Sequence, residues 1–223
     1  MNVRTARQTG LFYLGLALTG GLGFLLIRPR LFTPDDADAT LANVLANESL
    51  AHVDVALELG VVLTQALAAV WFYKLFRTVD AVAAGSITAF GLVNAVAILA
   101  SAAFLTTAVD VATSGAEAAT VQTLALVSGS FWDVGALFFG LWLIPMGTCV
   151  LRSRWMPRPL GWVLVVGGVG YIVSGFVSAL APGAGAVTMA LTVLASVGEF
   201  WMIGYLLVRG VGRSAPDPVV VPA

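Results

Sequence analysis

Charge is the scarcest commodity in this chain. Only 10% of its 223 residues are Asp, Glu, Lys or Arg, against about 25% in an ordinary soluble domain. There is one cysteine, Cys149, so no internal disulfide and no cysteine-based metal site is available. There is one histidine, His52, with Glu48 one turn before it. Two such groups fall short of the three or four ligands a zinc site needs. A lone histidine also argues against haem held by two axial histidines and against multi-histidine membrane hydrolases. Lys74 is the sole lysine, and the net charge of −1 offers nucleic acid no attracting field. No Gly-x-Ser-x-Gly elbow, HExxH or paired catalytic motif occurs. Gly167-Gly-Val-Gly170 is not a GxGxxG fingerprint and lies inside an apolar run, which does not suit phosphate binding. The sequence leaves the cofactor unknown.

Hydrophobic residues are abundant instead, at 59%. That proportion places the chain among bilayer proteins, with length for about six spans of ~20 residues. The stretch 131–176 is the clearest sign. Two long apolar runs flank a short hinge from Arg152 to Pro159 that carries Arg152, Arg154 and Arg158.

The expected architecture is all-α, an integral membrane bundle of six transmembrane helices. The spans are read at 10–27, 51–73, 82–107, 122–151, 159–180 and 187–208, within one domain over 1–213. Residues 214–223 read as a disordered cytoplasmic tail. The first run is too long for a signal-peptide core, and Arg28-Pro-Arg after it is no small-residue cleavage site. Residues 28–50 read as the longest loop. Thr33 or Asp35 is placed to cap a helix from about Ala37, an amphipathic outer segment that lies on the membrane or extends helix 2. A polar loop is expected over 109–119. Pro145 inside the fourth span should kink it, and Pro159 suits a first helical turn.

The basic residues set the expected orientation. With the N-terminus inside, Arg4, Arg7, Lys74, Arg77, Arg152, Arg154, Arg158, Arg209 and Arg213 are cytoplasmic, and only Arg28 and Arg30 are outside. The positive-inside rule therefore favours N-in/C-in, in the cytoplasmic membrane.

Polar groups inside spans point to function, because each costs roughly 2.5–3.5 kcal/mol to insert at the bilayer centre. Glu199 lies ten residues before Arg209, about 15 Å of helix, and so near the midplane. No lysine or arginine is expected inside any span, so Glu199 is either protonated or partnered by a neutral group, another carboxyl, a ligand or an ion. It reads equally well as a site carboxyl and as hydrogen-bonded packing glue. Asp133 falls near the outer boundary beside Trp132. Asp54, Glu58 and Gln65 share one helix face. With Asn94 they suggest an outward-facing acidic vestibule above Glu199. Gly170, Ser174 and Ser178 form a small-residue stripe suited to close helix contact. The candidate ligand-binding set is Glu199, Asp133, Asn94, Glu58 and Tyr171, with no catalytic or metal-ligating set.

Several motifs run together: Phe138-Phe-Gly140, Arg152-Ser153, Pro157-Arg-Pro-Leu160-Gly161, Gly170-Tyr171, Gly198-Glu199, and the early Arg7, Gly10 and Tyr13. In these the chain resembles a prokaryotic membrane family called domain of unknown function 4386. The resemblance spans most of the chain and implies six helices, but no activity. Members often carry a histidine near the start of the fourth helix. The nearby residue here is Asp133, which argues against a histidine-based mechanism.

Three functions compete. The first is binding or transport of a small molecule or ion, with Glu199 beneath the vestibule. The second is a structural or regulatory membrane scaffold. The third is an intramembrane lipid-acting enzyme using Asp133 and Glu199, which lacks a nucleophile or metal set. Membrane lipid is an expected partner. At this length, transport would favour a homodimer packed on glycine-rich helix faces.

Overall fold

A computed structural model describes residues 3–181 and 183–211; the tail at 214–223 lies outside them. The described residues are helical, with no strand. Helix α1 (Val3–Gly20) continues through a π-helical segment, Gly21–Ile27, into α2 (Arg28–Leu31). Then come α3 (Ala37–Ala46), α4 (Glu48–Phe76), α5 (Ala81–Thr113), α6 (Ala118–Ser153), α7 (Arg158–Leu180) and α8 (Gly185–Val208). Six helical stretches are long and apolar enough to cross a bilayer: Val3–Leu31, Glu48–Phe76, Ala81–Thr113, Ala118–Ser153, Arg158–Leu180 and Gly185–Val208. The protein is a multi-pass membrane protein.

Each long helix packs on its neighbours in sequence, and the ring closes where α1 meets α8. Glycine sets the closest approaches. A Cβ on Gly140 would stand 2.6 Å from the Gly168 carbonyl oxygen, and one on Gly147 would stand 2.5 Å from that of Gly161. The reciprocal approaches are as tight, at 2.8 and 2.9 Å. The seven-residue spacing on both helices lets antiparallel α6 and α7 touch backbone to backbone twice. Gly167 abuts Ala195 and Gly170 abuts Leu191, which seats α8 on α7. Gly170 of the expected packing stripe is thus used within the chain.

Helices α1 and α4 meet by a different device. The methyl of Thr19 lies over Gly60, and that of Thr64 lies over Gly15. Each threonine hydroxyl donates to its own helix, Thr19 to Gly15 O at 2.8 Å and Thr64 to Gly60 O at 2.6 Å. The hydroxyls are thereby satisfied without water, and only methyl groups cross the interface. At the centre, Tyr13, Phe72 and the fully buried Trp142 make edge-to-face contacts with ring centroids 5.3–5.6 Å apart. Gly91 leaves the space that the Trp142 indole occupies.

Several boundaries differ from the sequence reading. The first helix begins at Val3 and runs on to Leu31, the π-helical segment leading straight into α2 with Pro29 in its first turn. The region 28–50 is therefore mostly helical. The cap of α3 is Asp36, which accepts from Ala39 N at 2.9 Å, rather than Thr33 or Asp35. Asp35 takes a left-handed conformation in the turn. Helix α3 is distinct from α4, the two meeting at Asn47. Helix α5 runs through the expected loop to Thr113, since nothing before Gly115 (φ 86°) breaks it. Helix α6 continues through Pro145.

The hinge ends α6 with Arg154 left-handed at φ 58° and restarts α7 with Pro159 in its first turn. Trp155 stacks on Phe76 while its carbonyl accepts from the Tyr205 hydroxyl at 2.5 Å. Asp80 caps α5 by accepting from Ala83 N at 3.0 Å and also pairs with Arg152 at the end of α6. That cap, helped by the Arg152 charge, holds the Asp80 carboxyl below its usual range.

Gly147→Val should force α6 and α7 apart and cost about 1–3 kcal/mol as overpacking does, seen as a lower thermal midpoint. Gly204→Ala, at a position facing open space, should leave that midpoint unchanged or slightly raised. The Asp80 contribution depends on its ionised form, so it is present above about pH 4 and fades as pH falls below that. Asp80→Ala should therefore lower the midpoint at neutral pH and have much less effect in acid.

Candidate functional site

Two polar sites lie side by side in the half of the bundle that carries α2 and α3. The first is a cleft of about 630 Å³ where α1 and α8 diverge. At the other end Gly10 packs on Leu206 and Leu207, so the two helices touch there and splay apart towards Gly21 and Gly185. At its base the Tyr13 hydroxyl donates to Glu199 Oε1 at 2.6 Å. This is the only hydrogen bond of Glu199 among the described residues, and the side chain is half-buried, bordering the cleft.

The walls are mainly apolar: Leu16, Phe24, Phe139, Phe200, Ile203 and the ring of Trp132. A line of hydroxyls climbs from Glu199 along α8 and α7: Ser196, Thr192, Thr188 and Ser174. Each donates to a carbonyl of its own helix, at 3.5, 3.0, 2.8 and 2.8 Å respectively. With the protons of Thr192, Thr188 and Ser174 directed to those carbonyls, their oxygens keep lone pairs for the cleft. Together with the carboxyls of Glu199 and Asp133, they make a wall rich in acceptors.

The second site is a buried charge knot. Arg28 Nη2 lies 3.0 Å from Glu58 Oε1, and Arg28 Nε lies 3.8 Å from Asp54 Oδ2. Arg28 also donates to Ser128. Glu58 Oε1 further accepts from Trp132 Nε1 at 2.8 Å and from Ser101 at 3.2 Å. Asp54 is fully buried and Glu58 is 3% exposed. The π-helical segment belongs to this arrangement. Its wider turn resets the direction of the side chains that follow, and Gly23 lets the Asp54 carboxylate come close, since a Cβ there would be 3.0 Å from Oδ1.

The structure thus sorts the sequence candidates. Glu199, Asp133 and Tyr171 line the cleft. Glu58 does not; it turns into the knot. Asn94 donates to Gln65 at 2.8 Å in a third, fully buried contact between α5 and α4. The acidic vestibule is accordingly divided, because Arg28 draws Asp54 and Glu58 away from the cleft. The expectation that no arginine lies within a span is corrected: Arg28 sits near the end of the Val3–Leu31 stretch. It reads as a loop residue only when the helix is stopped before Arg28-Pro-Arg. Tyr13 was visible in the sequence only as a motif residue, and a single chain has no signal that pairs it with Glu199, 186 residues away. His52 pairs with Glu48 at 3.7 Å on an exposed surface, apart from both sites.

Removing the cation of the knot has a definite expected cost. Arg28→Ala leaves two carboxyls buried without their partner and should destabilise the protein by about 3–5 kcal/mol. The neutral combination of Arg28→Met, Asp54→Asn and Glu58→Gln should restore most of that loss. Thermal or denaturant unfolding of the two variants in detergent measures both.

The family motifs acquire structural meaning from this geometry. Gly140, Gly161 and Gly170 make close helix contacts, Gly10 admits the α8 leucines, and Tyr171, Tyr13 and Glu199 surround the cleft. Neither a curated protein nor a solved structure matches the chain. A family model described as Domain of unknown function (DUF4386) matches residues 8–210, which takes in helical sequence from all six candidate spans. The chain therefore belongs to the DUF4386 family.

Proposed function

We propose that the protein binds an amphipathic small molecule in the cleft between α1 and α8, with an amine or other hydrogen-bond-donating head on Glu199 and an apolar tail along the walls. The observation that carries this reading is the acceptor-rich lining of the cleft with a carboxyl at its base. A ligand that met it with acceptors of its own would leave buried groups unpaired, at a cost of about 1–3 kcal/mol each. One that donates satisfies Glu199 and the hydroxyl line together. The volume falls in the range of small-molecule sites, roughly 300–1,000 Å³.

The setting supports entry from the bilayer. Leu25, Met189 and Phe200 flank the cleft and are all strongly exposed, and an interhelical gap in a membrane-spanning bundle opens sideways to lipid. The basic residues at the end bearing the N-terminus favour an N-in/C-in orientation in the cytoplasmic membrane, which makes this an outer-half site. Packing glue alone is a weaker account of Glu199. A glue residue would sit in a closed seam, whereas this one borders open volume.

Three amphiphiles of equal chain length test the reading: dodecylamine, dodecanol and dodecanoate, added to the protein in nanodiscs of fixed lipid. Dodecylamine should raise the thermal midpoint most and dodecanoate least. Glu199→Gln should weaken the amine about tenfold or more, the loss of one charge-assisted hydrogen bond. Equal binding of all three, or an unchanged amine affinity in Glu199→Gln, would overturn it.

A further inference from the structure

The charge knot does not balance. Asp54 and Glu58 bring two carboxyls, while Arg28 brings one positive charge. Ser101 and Ser128 add only neutral hydroxyls. From α6, Asp133 stands within electrostatic reach of Arg28 and is a further acid, not a cation. With both carboxyls ionised the knot would hold an uncompensated negative charge in a buried, membrane-embedded place, one of the most expensive arrangements a protein can adopt.

The hydrogen bonds show where the imbalance falls. Glu58 Oε1 accepts from Arg28, Trp132 and Ser101. Among the described residues Asp54 has no hydrogen-bond donor: both Oδ1 and Oδ2 are buried without a partner, and its nearest contact with Arg28 is the long 3.8 Å approach. An ionised carboxylate attracts donors, and Glu58 has gathered them. Asp54 has not.

We propose that the knot is a binding site for one exchangeable proton, held on Asp54. Taking up a proton from solution forms one O–H bond on Asp54 and leaves Arg28 with Glu58 as a balanced pair. Releasing it leaves two carboxylates to compete for one guanidinium. The site is distinct from the cleft and stands whether or not the cleft takes a ligand. It is nonetheless joined to the cleft, because Trp132 donates to Glu58 while its ring forms cleft wall. Phe24 of the π-helical segment packs between them, 5.1 Å from the Trp132 ring and 5.8 Å from the Arg28 guanidinium.

Infrared spectroscopy in the Glu199→Gln background, which removes the signal of the cleft carboxyl, tests the proposal. At neutral pH that protein should show a carboxylic-acid carbonyl band that shifts in heavy water. Asp54→Asn should abolish the band. Glu58→Gln should abolish it as well, because the remaining carboxylate then balances Arg28. Asp133→Asn should leave it, and replacing potassium by sodium or lithium should not displace it. Absence of the band from the Glu199→Gln protein overturns the proposal without any knot variant. So does its persistence in Asp54→Asn or Glu58→Gln, or its loss in Asp133→Asn. Displacement by sodium or lithium would make the knot a metal-cation site instead and would equally overturn it.

Discussion

Two glycine crossings, Gly140 on Gly168 and Gly147 on Gly161, fix how near α6 and α7 can come, and the rest of the bundle is built around that distance. Between helices in lipid there is no hydrophobic force to gain, so association rests on close packing and weak contacts. Glycine lets the Cα–H groups of one helix meet carbonyl oxygens of the other, each such contact contributing about 0.5–1 kcal/mol. Once α6 and α7 are clamped, Gly167 and Gly170 seat α8 on the same surface. The position of Glu199 is thus set by backbone contacts on neighbouring helices rather than by its own interactions.

The ring is closed more loosely than it is built. Sequential helices share long interfaces, but α1 and α8, the first and last of the ring, touch only towards one end. Tyr13 and Glu199 tie them midway, and beyond that point they separate into the cleft. A ring made of sequential hairpins has one seam with no short connection across it, and here that seam carries the open volume. The π-helical turn of α1 lies on the same seam, so the cleft wall and the charge knot are two sides of one irregular stretch of helix.

The polar groups follow one rule. With no water in the hydrocarbon, each must find its partner within the chain or remain available to something that enters. The threonines on α1 and α4 satisfy themselves on their own helices, and Asn94 and Gln65 satisfy one another in part. Glu58 collects three donors. Among the described residues Glu199 has one hydrogen-bond partner and a cleft beside it, and Asp54 has none. The functional proposals rest on these last two, the carboxyl bordering open volume and the buried carboxyl without a donor.

The sequence by itself determined the class, the number of spans and their approximate limits. Apolar run length and the positions of charges are local properties, and a bilayer translates them directly into helices. It also put Glu199, Asp133 and Tyr171 in the candidate set, together with Asn94 and Glu58, and the first three line one cleft. The pairing of Tyr13 with Glu199, the recruitment of Arg28 by Asp54 and Glu58, and the parting of Glu58 and Asn94 from the cleft were decided only by tertiary structure. Each depends on contacts between helices distant in sequence. For Arg28 there is also the π-helical turn, which changes the direction of every side chain after Gly21. Helical periodicity assumes 3.6 residues per turn throughout, so a face read from spacing is lost where that number changes.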